Sequence, residues 1–262
     1  MVDMDSGMNF NFDPALAAGY KSNSQKIRVM SEAWLAQNMF CPVCGNIRLG
    51  NLPNNLPVAD LSCGNCGEIY ELKSRCGNVG GKITDGAYST MIERITGDRN
   101  PDLFIMEYSR EWQVVNLTLI PRFFFIPSII EKRNPLSADA RRGGWVGCNI
   151  LYSEIPDQGK IAIIKDQAVA ERGSVVENYA RVKRIRTADI EKRGWLLDVL
   201  SCMNAIPGKD FSLQEMYKFT DALQAKHLAN HNIEAKIRQQ LQILRDAGFI
   251  EFLGRGRYRK IL

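Results

Sequence analysis

Histidine is almost missing. The 262 residues hold two, His227 and His231, both in the last fifth of the chain. That scarcity removes a Ser-His-Asp hydrolytic set and a His-rich metal centre from the rest of the sequence. The two have i, i+4 spacing but no neighbouring Cys or acid to complete a metal site, so they are expected at the surface. Long apolar runs are missing too: none approaches the roughly 18 residues that a membrane-spanning helix requires. The opening MVDMDSGMNFNFDP has neither the basic start nor the apolar stretch of a secretory signal. A cytoplasmic protein without a membrane partner is therefore expected. There are no internal repeats and no low-complexity tract. A strong charge of either sign is also lacking, since the net value is +5; this permits nucleic-acid binding without establishing it. The stretch CGNVGGKIT is not a phosphate loop, because G-x4-GK-[ST] would need Gly at Cys76 and Ser or Thr at Ile83.

Cysteine is present, in a pattern. Seven is an odd number, which speaks against a disulfide framework in a cytosolic chain. Four fall into two C-x2-C pairs, Cys41/Cys44 and Cys63/Cys66, with 18 residues between them. This is zinc-ribbon spacing: each short loop brings two thiolates to one tetrahedral Zn²⁺, in a closed and hence structural site. Cys76, Cys148 and Cys202 are left as core or surface thiols.

The chain reads as two parts. A helix is expected from about Ser24, with Ile27, Met30 and Trp34 at helical spacing. A turn-rich stretch follows to Cys66, then an alternating strand from Ile69 to Lys73 and a helix over 84–96 capped by Thr84. Strands are expected at LFIMEY, WQVVNLTLI and IAIIK. This is an α/β domain, 1–183, running through the charged segment VKRIRTADIEKRG into a second part, 184–262. There the expected elements are a helix over 188–204, a helix capped by the box Ser212-x-x-Glu215, and a helix carrying Ile233, Ile237, Leu241 and Leu244 on one stripe. A hairpin, FIEFL-GRG-RYRKIL, follows. Three helices and a hairpin in that order describe a winged helix-turn-helix.

The acids come next. Glu71 and Lys73 lie two apart on the expected strand, so both leave the same face. Asp60 would lie on the preceding strand, with Cys63 to Cys66 at the hairpin tip between them. A zinc-clamped hairpin would thus hold Asp60 beside Glu71 and Lys73. Two adjacent carboxylates invite an oxygen-liganded Mg²⁺, and Lys73 could orient or deprotonate an attacking water, which is the logic of phosphodiester hydrolysis. Glu32, on the first helix, is a candidate further acid.

Asp60-x10-Glu71-x-Lys73 resembles the PD-(D/E)xK nuclease signature, with Ala59 in place of its Pro. The stretches YKSNSQK, DGAYSTM, RRGGWVGCNI, KIRQQLQILRD and GRGRYRK resemble, in that order along nearly the whole chain, the DpnI-type methyl-directed restriction endonucleases. The resemblance implies a zinc-containing PD-(D/E)xK core joined to a C-terminal winged helix. It also implies double-stranded GATC with N6-methyladenine as the substrate of a type II restriction endonuclease. By position it implies Asp60, Glu71 and Lys73 as catalytic residues, Asp60 and Glu71 as magnesium ligands, and Cys41, Cys44, Cys63 and Cys66 as zinc ligands.

DNA contacts are expected in two places. In ARRGGWVGCN, Arg141 and Arg142 can reach phosphates, and Trp145 follows two glycines on a basic loop, placed to stack on or wedge between bases. On the third C-terminal helix, Lys236, Arg238, Gln239, Gln240 and Gln242 lie off the apolar stripe, where Gln can read adenine edges. The hairpin adds Arg255, Arg257, Tyr258 and Arg259. No obligate protein partner is expected. One rival reading is a zinc-ribbon and winged-helix transcription regulator without catalysis, which leaves the α/β domain without a purpose. Another is a repair nuclease of the same catalytic type, which would cut regardless of methylation.

Overall fold

The computed structural model describes residues 8–53 and 59–261. Helix α1 (Asn23–Asn38) buries Met30, Ser31, Trp34 and Leu35, one face at helical spacing. The Trp34 indole donates to the Asn9 carbonyl at 2.7 Å and pins the preceding segment. Short strands β1 (Gly50–Asn51) and β2 (Leu61–Ser62) lead into β3 (Ile69–Cys76), the strand of the E-x-K pair. β3 is followed by β4 (Ile83–Ala87), helix α2 (Tyr88–Thr96), β5 (Asp102–Tyr108) and β6 (Val114–Ile120). Then come β7 (Ile130–Lys132), β8 (Gly147–Ile150), β9 (Ile161–Lys165), β10 (Ala168–Val169) and helix α3 (Arg172–Lys183).

The main sheet runs β1-β2-β3-β5-β6-β9-β10. All its pairings are antiparallel except β3 with β5. A parallel pair needs a crossover, and here β4 and α2 form it. β4 leaves the main sheet for a smaller one, β4-β8-β7. The expected helix over 84–96 is therefore half right: Thr84 belongs to β4, and helix begins only at Tyr88. The β-branched Ile83 and Thr84 favour strand once β8 is there to pair with them.

The C-terminal part holds α4 (Ile190–Ala205), β11 (Asp210–Ser212), α5 (Leu213–Tyr217), α6 (Thr220–Lys226), α7 (Ile233–Asp246), β12 (Ile250–Gly254) and β13 (Arg257–Lys260). The Ser212–Glu215 capping box is formed from both sides. Helix α6 is one more than the three helices expected. The hairpin strands join β11 in the order β11-β13-β12. Gly254 and Gly256, at φ 91° and 72°, make the tip, with Arg255 between them also at positive φ. No described helix is long and apolar enough to cross a membrane.

One hydrophobic cluster runs from Phe12 to Ile250 and takes in both parts. Buried polar ties cross it. Asp102, fully enclosed, accepts from the Arg122 backbone N–H at 2.8 Å, Arg122 Nε at 3.1 Å and the Tyr179 hydroxyl at 2.8 Å. Arg122 also pairs with Glu68, at the end of the cysteine loop. Burial pushes the Asp102 carboxyl up, against the Arg122 guanidinium and the hydrogen bonds that pull it down. Arg193, 2 % exposed, donates to the carbonyls of Thr187 (2.8 Å) and Phe125 (3.2 Å) and to Asp98 (3.1 Å).

Removing one partner of a buried charge pair leaves the other uncompensated. Asp102→Ala is expected to lower unfolding free energy by about 3 to 5 kcal/mol, read by equilibrium urea denaturation. A loss under about 1 kcal/mol would show that the network contributes little.

Candidate active site and nucleic-acid interface

The cysteine loop folds as a hairpin. Leu61 pairs with Tyr70 and Ser62 with Ile69, and the Cys63 N–H donates to the Glu68 carbonyl at 2.8 Å. Cys41, Cys44, Cys63 and Cys66 bring their sulfurs within 4.8 Å of one another, with Cys41–Cys66 and Cys44–Cys63 each at 3.6 Å. Zn–S bonds of about 2.3 Å in a tetrahedron set sulfur–sulfur edges near these values, so the set fits Zn²⁺. Neighbours support the sulfurs: Asn65 Nδ2 donates to Cys44 Sγ at 3.4 Å, and the buried Tyr70 hydroxyl lies 3.0 Å from Cys41 Sγ. Tyr70 immediately precedes Glu71, so the thiol cluster and the acid strand are joined directly.

Asp60 lies just before β2, not on it, and its backbone continues the hairpin opposite the acid strand. The Asp60 N–H donates to the Tyr70 carbonyl at 2.9 Å, and Asp60 Oδ2 accepts the Leu72 N–H at 2.8 Å. Asp60 is thus fixed across Glu71 by one bond on either side of it. Glu71 Oε1 is 2.6 Å from Lys73 Nζ, and its Oε2 is 3.0 Å from Arg94 of α2. Lys73 Nζ is also 2.7 Å from Asp85 of β4. Burial pulls the Lys73 ammonium toward the neutral form, but Glu71 and Asp85 outweigh it, and the net direction is up. Glu32 of α1 lies within the field of Asp60; burial first and then that carboxylate push its own carboxyl up, against Arg28 at 2.8 Å. Glu32 and Lys73 line one cavity of about 600 Å³ between α1 and β3.

Two residues of this constellation escaped sequence reasoning, Asp85 and Arg94. Asp85 stands in DGAYSTM, a stretch singled out for its resemblance, but nothing local ties it to Lys73. Arg94 is one of two charges on α2, beside Glu93, and only its place opposite β3 distinguishes it.

The loop between β7 and β8 carries Arg141 and Arg142, both exposed, and Trp145, half-buried. The Trp145 ring stacks under the Arg142 guanidinium at 4.9 Å. A Cβ on Gly147 would lie 2.8 Å from the ring, so only glycine admits it there. Trp145 backbone groups bond Arg142 and Leu136, at 3.0 and 2.9 Å.

The C-terminal candidates divide. Arg238, Gln239 and Gln242 on α7 and Arg255 and Arg257 at the hairpin are exposed. Gln240 is a correction: at 2 % exposure it is enclosed and unavailable to a base. Counting from Ile233 and Ile237, position 240 falls on the apolar stripe, three beyond Ile237, and the packing takes it in. Lys236 is turned over the Trp195 ring at 5.7 Å. Tyr258 stacks on Phe211 at 5.3 Å, and Arg259 makes a two-pronged pair with Asp210 at 2.7 and 3.0 Å. These three are held by the fold. His227 is a second correction: its ring stacks on buried Trp195 at 3.7 Å, with Nε2 2.9 Å from Asp198.

Family models match both parts: DpnI, the Dam-replacing family, over residues 8–188, and the Dam-replacing HTH domain over residues 191–260. The chain belongs to the Dam-replacing family. The DpnI-type resemblance read from the sequence agrees with this at both ends of the chain. Dam-replacing membership makes the C-terminal helices and hairpin a helix-turn-helix domain, and the exposed Arg238, Gln239 and Gln242 lie on its α7.

Freshly purified protein is expected to carry about one Zn²⁺ per chain by the tetrathiolate argument, measured by elemental analysis. Cys63→Ser is expected to lose most of the metal and to melt lower. Metal-free wild-type protein of full stability would remove the zinc assignment.

Proposed function

We propose that this protein is a type II restriction endonuclease that cleaves double-stranded DNA at GATC sites carrying N6-methyladenine, by Mg²⁺-dependent phosphodiester hydrolysis. In this reading residues 1–183 form a PD-(D/E)xK nuclease domain with a structural zinc, and 184–262 a winged-helix DNA-binding domain. One observation carries it: the Asp60 carboxylate is bonded to the Leu72 N–H, between Glu71 and Lys73, which pair with each other, in a chain of the Dam-replacing family.

Asp60 and Glu71 would hold Mg²⁺, and their oxygen-only donor set suits a hard cation. The ion, when bound, supplies an acidified water and neutralises charge on the phosphate. Lys73, kept protonated by its two carboxylates, offers a fixed positive charge beside the scissile phosphate and a donor to orient the water. Arg94 holds one oxygen of Glu71, which stops that carboxylate from swinging freely. Arg141 and Arg142 bind backbone phosphates, and Trp145 gives the modified base an aromatic wall. In the second domain Gln239 and Gln242 read base edges while Arg238, Arg255 and Arg257 bind the backbone. Two reading modules would spare unmethylated host DNA. A transcription regulator of the same parts has no use for a chain of charges, Asp85–Lys73–Glu71–Arg94, largely shielded from solvent.

The test is cleavage of methylated and unmethylated plasmid, with and without Mg²⁺. Cleavage of the methylated form alone, and only with metal, is expected. Asp60→Ala, Glu71→Ala and Lys73→Ala should each abolish it while leaving DNA binding largely intact. Near-normal cutting by any one of them removes that residue from the chemistry.

A separate expectation concerns Trp145→Ala. Base stacking on an aromatic side chain is worth roughly 1–3 kcal/mol. Single-turnover cleavage of methylated duplex should slow by about ten- to a hundredfold, with little change in thermal melting. A variant that melts far lower and loses all binding would mark Trp145 as a packing residue.

A further inference from the structure

Asp85 is hard to explain by packing. Its side chain is 5 % exposed, and Oδ2 is enclosed with no hydrogen-bond partner among the described residues. Its cross-strand neighbour on β8, Cys148, gives its thiol to the Gly86 carbonyl at 3.5 Å. A buried carboxylate with one oxygen unmet costs stability, and an apolar residue in its place would avoid that cost. Its Oδ1 accepts the N–H of the next residue, Gly86, at 2.7 Å and, across to β3, holds Lys73 Nζ at 2.7 Å.

Lys73 is shared. Glu71 holds it at 2.6 Å, but Glu71 is also the carboxylate that the proposed function commits to a cation. A carboxylate drawn to a dication holds a nearby ammonium less firmly. Asp85 has no such second duty in that reading, and it comes from a different sheet, so its grip does not depend on what Glu71 does. We propose that Asp85 is a positioning residue that keeps the Lys73 ammonium in place while Glu71 is engaged with metal. The proposal rests on the function given above.

The wider geometry gives this grip a route to DNA. β8 begins where the Trp145 loop ends, and β8 pairs with β4 beside Asp85. The carbonyl of Val146, next to Trp145, accepts the Tyr88 N–H at 3.1 Å, at the start of the helix that carries Arg94. Asp85 and Arg94 thus clasp Lys73 and Glu71 from the two ends of one crossover, and that crossover is braced by the strand leaving the base-facing loop.

The experiment compares wild type, Asp85→Asn and Asp85→Glu on methylated GATC duplex. Single-turnover cleavage in Mg²⁺ is read beside Kd for the same duplex in Ca²⁺ and thermal melting. Asp85→Asn is expected to slow cleavage by about ten- to a hundredfold, the range for a hydrogen bond to a charged group. Its Kd should stay within about threefold of wild type, and Asp85→Glu, which keeps the carboxylate, should recover much of the rate. Cleavage by Asp85→Asn within threefold of wild type overturns the proposal. So does a loss of cleavage, binding and melting in step in both variants, because Asp85 is then structural. Wild-type protein that leaves the methylated duplex intact in Mg²⁺ removes the function itself, an outcome distinct from failure of the Asp85 variants alone.

Discussion

Four sulfur atoms within 4.8 Å of one another are held together as thiolates only around a cation. The geometry of the candidate active site follows from that constraint. Cys63 and Cys66 close the tip of the hairpin whose two arms carry Asp60 and Glu71. Cys41 and Cys44 tie the tip back to the chain that leaves α1, the helix whose Glu32 lines a cavity with Lys73. The Tyr70 hydroxyl then joins the cluster to β3 from beneath; beside a metal-bound thiolate it can only donate. One arm of the hairpin is short: β2 is two residues long, against eight for β3. β3 is backed along its length by β5, and a metal held by the four sulfurs would supply the rigidity that the two-residue β2 lacks.

The acid site depends on a second kind of order, a sequence of alternating charges from Asp85 through Lys73 and Glu71 to Arg94. Each member has a partner of opposite sign on a different element, and Glu71 and Lys73 are each held from two sides. A site arranged this way is fixed before substrate arrives, so less reorganisation is left for the reaction itself. The network of Asp102, Arg122, Glu68 and Tyr179 binds the cysteine loop to β5 and α3.

Much of this was legible in the residues. The C-x2-C pairs, the strand from Ile69, the placing of Asp60 opposite that strand and the Ser212 capping box all rest on spacing of a few residues, and spacing survives without a structure. What was not legible depends on pairing across long separations. β4 reads as the start of a helix until β8 pairs with it, 63 residues beyond Asp85 in register with Cys148. Asp85 therefore reads as a first-turn residue of that helix, and its tie to Lys73 is invisible. Gln240 shows the opposite failure: its polarity suggested a contact face, whereas its phase on the helix, with Ile233, Ile237 and Leu244, already assigned it to the interior. His227 was misread because its partner, Trp195, lies on another helix.

Arg193 has a consequence for how the chain is made. Asp60 to Arg94, the whole span of the acid site, is synthesised well before Arg193, the residue whose guanidinium fills the space between Asp98 and the Phe125 carbonyl. Until α4 is made, Asp98 lacks that buried partner and the region under Phe125 lacks Trp195, Leu196 and their neighbours in the shared core. The N-terminal part of a nascent chain is thus incompletely packed until α4, the first helix of the C-terminal part, has been translated. Order of synthesis and order of packing together delay a fully packed N-terminal core until the first helix of the helix-turn-helix domain has emerged.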